Sequence, residues 1–258
     1  MTAGQHCRHF LDALSFLTRL APPRPISLAA CVPWFAPAGL LLGFVLTLVT
    51  VPVFAWIVFW SSVSGSALLA ALPAAWIWLC LEILMTRALH WDGLADLADA
   101  CGSAASGQRF WEVLRDSRLG AFGALALLLV FCGQWAALCL HLAAWHWLVP
   151  VLAPAWGRAC SVWLACGASA HDPGSLGGLA LAGASKRLSR LHWGAALLCL
   201  AVLCALGLHV WQALVLLIGQ YWMLRQLAGS ARKQGGLSGD FLGAGIETGQ
   251  LWFLLATL

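Results

Sequence analysis

The chain has 258 residues, of which 62% are apolar and only 9% are charged. An ordinary soluble domain has roughly a quarter of its residues charged, so this composition excludes a disordered chain and an ordinary soluble enzyme. The formal net charge of +4 is small, and the lysines and arginines are scattered along the chain, which excludes a nucleic-acid-binding module.

Long stretches without charge indicate a membrane protein. Residues 25–81 and 119–157 contain no Asp, Glu, Lys or Arg over 57 and 39 positions respectively. A helix needs about 20 apolar residues to cross the bilayer core, so each stretch is long enough for two spans. The sequence therefore predicts an all-α, polytopic integral membrane helix bundle.

The first thirty residues are predicted to lie beside this bundle. Phe10, Leu14 and Leu17 fall toward one side of a helix, which is typical of an amphipathic helix on a membrane surface. The prolines that follow would end it. We therefore divide the chain into an N-terminal interfacial segment, 1–30, and a single transmembrane helical domain, 31–258, with active-site loops at one face.

Long apolar segments, separated by short stretches that contain Gly, Pro and Ser, predict six to seven transmembrane helices. Their approximate bounds are 35–59, 66–86, 119–140, 147–168, 191–206, 211–227 and 241 to the C-terminus. The connections at 61–65, 141–146 and 207–210 contain no Lys or Arg, whereas the other connections are basic. The positive-inside rule therefore places the N-terminus and the basic loops on the cytoplasmic side.

Most of the few acidic residues lie in these basic connections. Asp92, Asp96 and Asp99 follow the spacing i, i+4 and i+7, so they share one face of a helix. A carboxylate at mid-bilayer costs about 2.5–3.5 kcal/mol, which favours an interface or a wet cavity. An all-oxygen set suits Mg²⁺; the alternative is a solvated acidic face.

Two further segments suggest phosphate chemistry. Arg115 and Arg118 flank Asp116 just before a span and offer forked donors for phosphate oxygens beside another potential metal ligand; the alternative is that they only orient the helix. Near the C-terminus, Gly235 and Gly236 would let the backbone approach an anion. Asp240 and Glu247 follow them, seven residues apart and on one helical face. Carboxylates, Mg²⁺ and arginine at a water–lipid boundary indicate phosphoryl or nucleotidyl transfer.

These segments resemble the cobalamin synthase family, the adenosylcobinamide-GDP ribazoletransferases. The matching segments are 90–99, which begins His-Trp-Asp-Gly-Leu-Ala-Asp, 115–120, which reads Arg-Asp-Ser-Arg-Leu-Gly, and 235–240 running on to Glu247. Arg158, an isolated charge in a predicted span, matches an arginine of the family. The resemblance covers nearly the whole chain.

The resemblance implies a reaction and a location. A ribose hydroxyl of α-ribazole, or of its 5′-phosphate, would attack the cobinamide-side phosphorus of adenosylcobinamide-GDP, releasing GMP and giving adenosylcobalamin or its phosphate. The family uses Mg²⁺ and is an integral membrane protein. The implied location is the bacterial cytoplasmic (inner) membrane. A homo-oligomer and contact with other corrinoid-assembly enzymes are both left open.

The resemblance also implies roles for individual residues. Asp92, Asp96 and Asp99 would be Mg²⁺ ligands and Asp116 would complete the site, although Asp99 or Asp116 could instead take the hydroxyl proton. Arg115, Arg118 and Arg158 would hold phosphates. Gly235 and Gly236 would bind substrate, and Asp240 and Glu247 would bind a second metal or orient the nucleophile. His90 would contact a phosphate or cap its helix.

Two alternatives belong to other protein classes. A CDP-alcohol phosphotransferase of phospholipid synthesis also gathers aspartates at the cytoplasmic face, but its signature has Ala-Arg after Asp-Gly, whereas here Leu94 and Ala95 follow. A cation- or proton-coupled transporter would also carry intramembrane carboxylates. It would usually place them near mid-membrane in repeated halves, and the sequence has no detectable internal repeat.

Overall fold

The computed structural model of the protein describes residues 2–60 and 67–258. These stretches form helices and no strand, apart from one isolated bridge between Ala170 and Leu237. The predicted connection 61–65 lies outside the described residues. In chain order, the α-helices of the described stretches are α1 (Ala3–Leu17), α2 (Leu28–Cys31), α3 (Phe35–Trp60), α4 (Ala67–Thr86), α5 (Leu89–Gly102), α6 (Gln108–Leu114), α7 (Ala121–Ala143), α8 (Leu148–Ala165), α9 (Leu176–Gly183), α10 (Lys186–Ala205), α11 (Val210–Lys233) and α12 (Gly239–Ala256).

The predicted spans correspond to observed helices, with shifts at their ends. The predicted helix 35–59 is observed as α3 and ends one residue later. The predicted helix 191–206 begins earlier, at Lys186, because the Ser185 hydroxyl accepts a hydrogen bond from the Leu188 amide at 3.1 Å and caps the first turn. The short helices α6 and α9 were not predicted.

Within residues 2–60 and 67–258, five helical stretches are long and apolar enough to cross a membrane. They are Leu28–Trp60, Ala67–Thr86, Ala121–Ala143, Leu148–Ala165 and Lys186–Ala205. Many large apolar side chains of these helices are exposed on the outside of the bundle, as Leu48 and Leu198 are, which is typical of a lipid-facing surface. The chain is therefore a multi-pass membrane protein, and the count of six to seven spans stays a prediction.

Helix α8 lies at the centre of the bundle. Its span is 78% buried, against 28–39% for the other four, and it packs mainly against α3 and α12. Gly39 and Gly43 of α3 lie directly on the α8 backbone at Val151 and Pro154, where an added Cβ would overlap carbonyl oxygens. Small residues at such contacts let membrane helices approach closely.

The predicted N-terminal amphipathic helix is observed as α1. Leu14 and Leu17 are buried, and α1 packs against α2 and α3. The helix ends at Leu17, before the prolines, where the Arg87 guanidinium donates to the backbone carbonyls of Ser15 and Phe16 at 3.2 and 2.6 Å. A cation at this position satisfies helix-terminal carbonyls and ties α1 to the end of α4.

Candidate active site

Three segments that are far apart in the sequence line one cavity of about 340 Å³. The polar lining residues from these segments are His90, Asp92, Arg115, Ser238 and Asp240. The cavity lies at the end of the bundle that carries the basic connections, which we call the basic end. A volume of a few hundred Å³ is typical of a small-molecule site. The structure thus brings together residues from all three segments that the sequence singles out.

A tight junction between α4 and α5 aims the first segment into the cavity. Arg87 and Ala88 have φ of 58° and 55°, in the left-handed region that residues other than glycine rarely adopt. The Ala88 amide donates to the Ile83 carbonyl at 2.9 Å. Because only Arg87 and Ala88 separate the two helices, α5 starts at once and places His90 and Asp92 at the cavity.

Close packing of α5 on α12 joins the first and third segments. An added Cβ at Gly93 would lie 2.8 Å from the Asp240 Cα, and one at Gly243 would lie 3.1 Å from the His90 carbonyl oxygen. Side chains at these two positions would therefore push the helices apart. The glycine of the Asp-Gly pair has a steric role, because it lets Asp92 and Asp240 line the same cavity.

The carboxylates of these helices act on one another electrostatically. Desolvation raises the pKa of Asp96 to about 6, and the negative charges of Asp92, Asp240 and Asp99 add to this increase. Like charges at close range disfavour ionisation unless a cation offsets them. Asp92 and Asp240 line the cavity, whereas Asp96 does not.

His90 is buried at the cavity with an open ring nitrogen. Only 4% of the residue is exposed, and Nε2 has no hydrogen-bond partner among the described residues. Burial lowers the pKa of His90 well below its usual range, and the positive charge of Arg158 adds to this decrease. Burial therefore favours the neutral imidazole of His90, whose Nε2 can accept or donate one hydrogen bond to a ligand.

The Asp99 carboxylate holds the start of α7. Its two oxygens accept hydrogen bonds from the backbone amides of Gly120 and Gly123, each at 2.8 Å. A negative charge is favourable at a helix N-terminus. Both glycines lie against the carboxylate so closely that a Cβ would overlap it. Asp99 therefore anchors the second segment to α5.

Asp116 and Arg118 form a surface pair with each other. The Arg118 guanidinium donates to both Asp116 oxygens, with Nη2 at 2.6 Å from Oδ2, and these hydrogen bonds lower the pKa of Asp116 to about 2. The Arg118 side chain is 88% exposed. Of the three charged residues of this segment, only Arg115 lines the cavity.

The two glycines before α12 make a sharp turn. Gly235 and Gly236 have φ of 87° and 145°, which favours glycine. After the turn, Leu237 pairs with the connection between α8 and α9: its amide donates to the Ser169 carbonyl at 2.9 Å, and its carbonyl accepts from the His171 amide at 3.0 Å. Neither glycine lines the cavity; their turn positions Ser238, whose hydroxyl donates to Asp240 Oδ2 at 2.9 Å.

An aromatic pair at the cavity was not predicted from the sequence. The rings of Trp111 and His171 stack with centroids 3.6 Å apart and planes 11° apart, and both residues line the cavity. The Trp111 indole donates to the Gln234 carbonyl at 2.9 Å. No local sequence pattern joins residues 60 positions apart, so only the fold could reveal this pair.

Arg158 and Glu247 lie in a buried polar network in the bundle and do not line the cavity. Arg158 Nη1 lies 3.4 Å from Glu82 Oε1, and Gln250 Nε2 donates to Glu82 Oε2 at 2.7 Å. Gln134 accepts from Gln250 at 3.0 Å and donates to Glu247 Oε2 at 3.1 Å. Glu82 was not predicted to be a member of any site. The one sequence signal for it is that it is an acidic residue within an apolar predicted span.

The carboxylates fit a divalent cation by their chemistry. Asp92, Asp96 and Asp240 offer only oxygen ligands, which suit Mg²⁺, and their mutual repulsion would be relieved by a positive ion. In the stretches 2–60 and 67–258, no three His, Cys, Asp or Glu side chains already converge as metal ligands. Asp99 and Asp116 make the other contacts described above.

Comparisons with known proteins identify the family. The family model of cobalamin-5-phosphate synthase matches residues 9–258. A protein of Nitratidesulfovibrio vulgaris named adenosylcobinamide-GDP ribazoletransferase is 38% identical over 241 residues, 92% of this chain and 91% of its own length. Proteins of the same name from Laribacter hongkongensis and Escherichia coli are each 36% identical, covering 96% of this chain and 95% and 98% of their own lengths. No solved structure matches.

A family model that matches almost the whole chain includes all three segments that meet at the cavity. The chain belongs to the cobalamin-5-phosphate synthase family.

Proposed function

We propose that this chain is an adenosylcobinamide-GDP ribazoletransferase. The substrates are adenosylcobinamide-GDP and α-ribazole or its 5′-phosphate, and the products are adenosylcobalamin or its phosphate, and GMP. The observation that carries the proposal is the meeting of residues from three distant segments in one cavity, in a chain that shares 38% identity with a protein of that name. The family match supports this function over phospholipid synthesis and over ion-coupled transport.

The reaction exchanges one phosphorus–oxygen bond for another. The oxygen of a ribose 2′- or 3′-hydroxyl, which is free in both α-ribazole and its 5′-phosphate, forms a bond to the cobinamide-side phosphorus. The bridging bond of the diphosphate breaks, and GMP leaves with the bridging oxygen. The hydroxyl proton needs an acceptor at the cavity, where the lining carboxylates are Asp92, Asp172 and Asp240. Among them, Asp92 and Asp240 belong to the sequence motifs and are our candidates to accept this proton.

Arg115 and His90 add hydrogen-bonding groups for the substrate to the carboxylates of the cavity. Arg115 lines the cavity and can hold phosphate oxygens with its fork of donors. The neutral His90 can donate or accept one hydrogen bond without adding charge. Mg²⁺ held by Asp92, Asp96 and Asp240 would neutralise the negative charge that develops on the phosphate oxygens.

The orientation in the membrane is part of the proposal. The connections that carry most arginines and lysines lie at the basic end, next to the cavity. By the positive-inside rule, we place the basic end and the active site in the cytoplasm and the protein in the bacterial inner membrane.

The test is a reaction with purified components. The protein in detergent micelles is mixed with adenosylcobinamide-GDP and α-ribazole, with Mg²⁺ or with EDTA. We expect adenosylcobalamin and GMP in equal amounts with Mg²⁺, and neither with EDTA. A parallel reaction with the 5′-phosphate compares the two acceptors. Intact substrates after prolonged incubation with Mg²⁺ would refute the proposal.

A further inference from the structure

The cavity has an apolar wall that the proposed chemistry does not use. Its carboxylates come from α5, α12 and the connection between α8 and α9, whereas α1 and α3 contribute apolar side chains: Phe16, Leu17 and Phe35, with Leu89 beside them. Phosphate groups and carboxylates gain nothing from such a surface. The wall therefore fits an uncharged, apolar part of a substrate.

The two phenylalanines of this wall are held in place. The rings of Phe16 and Phe35 stack with centroids 6.1 Å apart and planes 19° apart. The Arg87 guanidinium fixes the backbone at Phe16, and the Arg19 amide donates to the Met85 carbonyl at 2.7 Å. The wall is thus formed before a ligand binds, which lowers the entropic cost of binding.

The chemistry of the substrates selects the occupant. The base of α-ribazole is dimethylbenzimidazole, a flat aromatic group with two methyls and one free ring nitrogen. Guanine carries a carbonyl and several N–H groups, which would lose hydrogen bonds against this wall. The corrin ring is far larger than a cavity of about 340 Å³.

We propose that the dimethylbenzimidazole base of α-ribazole binds in a subsite formed by Phe16, Leu17, Phe35 and Leu89. The apolar wall orients the nucleoside so that its attacking ribose hydroxyl points toward Asp92 and Asp240, which line the same cavity. Binding removes water from the aromatic rings of the subsite and from the methyl groups of the base, and this burial of apolar surface supplies the affinity. This inference rests on the proposed function.

The test measures binding of α-ribazole by calorimetry, with the full chain in detergent micelles. We expect Phe16→Ala to weaken binding about tenfold, because it removes an aromatic surface from the subsite. Phe10→Ala is the control, because Phe10 lies on the same helix but packs edge-on against Trp34, away from the cavity. The Phe10→Ala protein should bind α-ribazole with the affinity of the wild type. Equal affinity of Phe16→Ala and Phe10→Ala would overturn the subsite.

A ligand series on the wild-type protein tests the same subsite without a variant. The ribonucleoside of unmethylated benzimidazole should bind about tenfold more weakly than α-ribazole, because two methyl groups are no longer buried. Equal affinities would overturn the subsite even if Phe16→Ala did not fold. The two proposals can be refuted separately. If the wild type forms product but binds both nucleosides equally, only the proposed subsite is refuted. If the wild type forms no product, the proposed function is refuted.

Discussion

At the scale of single residues, the aspartates of the sequence motifs have different surroundings. Asp92 and Asp240 line the cavity, Asp99 accepts hydrogen bonds from two amides at the start of α7, and Asp116 pairs with Arg118 at the surface. Spacing along a helix predicted that the first aspartates share a face. It could not predict which carboxylate is already engaged by backbone amides, since those amides come from another helix.

The anchoring contact of Asp99 predicts a stability effect. Asp99→Ala should destabilise the fold by about 1–2 kcal/mol, because two helix-terminal amides lose their acceptor. Asp99→Asn keeps one acceptor oxygen, so its loss should be smaller. Thermal unfolding in detergent measures both. An Asp99→Ala protein as stable as the wild type would show that the carboxylate does not anchor α7.

At the scale of elements, the turn before α12 decides whether the third segment reaches the cavity. The glycine-rich composition predicted close backbone approach to an anion there, which stays a prediction. The contact that the structure shows is with the α8–α9 connection, where Leu237 bridges Ala170. A pairing across about seventy residues leaves no periodic pattern in the sequence. The sequence therefore predicted the helices better than the contacts between their connections.

Gly236→Ala should destabilise this turn. Its φ of 145° disfavours a side chain, and a Cβ would lie 2.5 Å from the His171 amide nitrogen. We expect a loss above about 1 kcal/mol and a lower melting temperature. Gly229→Ala in α11 is the matched control, since a Cβ there meets nothing within 4 Å and alanine favours a helix. Equal melting temperatures of the two variants would contradict this account.

At the scale of the whole molecule, apolar helices enclose a charged centre. The spans and their approximate bounds could be predicted because long apolar runs are visible in one sequence. The network of Glu82, Gln134, Arg158, Glu247 and Gln250 could not, because it joins α4, α7, α8 and α12. Two of its members, Arg158 and Glu247, were predicted to contact substrate. Both are buried inside the bundle, where they contact Glu82 and Gln134 respectively.

The pair of Arg158 and Glu82 predicts a compensation experiment. Arg158→Leu should destabilise the protein by about 3–5 kcal/mol, because it leaves a buried carboxylate without its partner. The double variant Arg158→Leu with Glu82→Leu should recover most of that loss. Thermal unfolding in detergent compares the three proteins. A double variant no more stable than the single one would show that the two side chains do not act as a pair.

We propose that Asp92 and Asp240, two carboxylates that line the cavity at the basic end, carry the transfer reaction. The most direct test is the rate of GMP release at saturating substrates and Mg²⁺ by Asp92→Asn and Asp240→Asn, beside Glu112→Gln, which changes an exposed carboxylate paired with Arg109. We predict that both aspartate variants fall at least about 100-fold while keeping the wild-type melting temperature, and that Glu112→Gln matches the wild-type rate. Wild-type rates in both aspartate variants would contradict the claim.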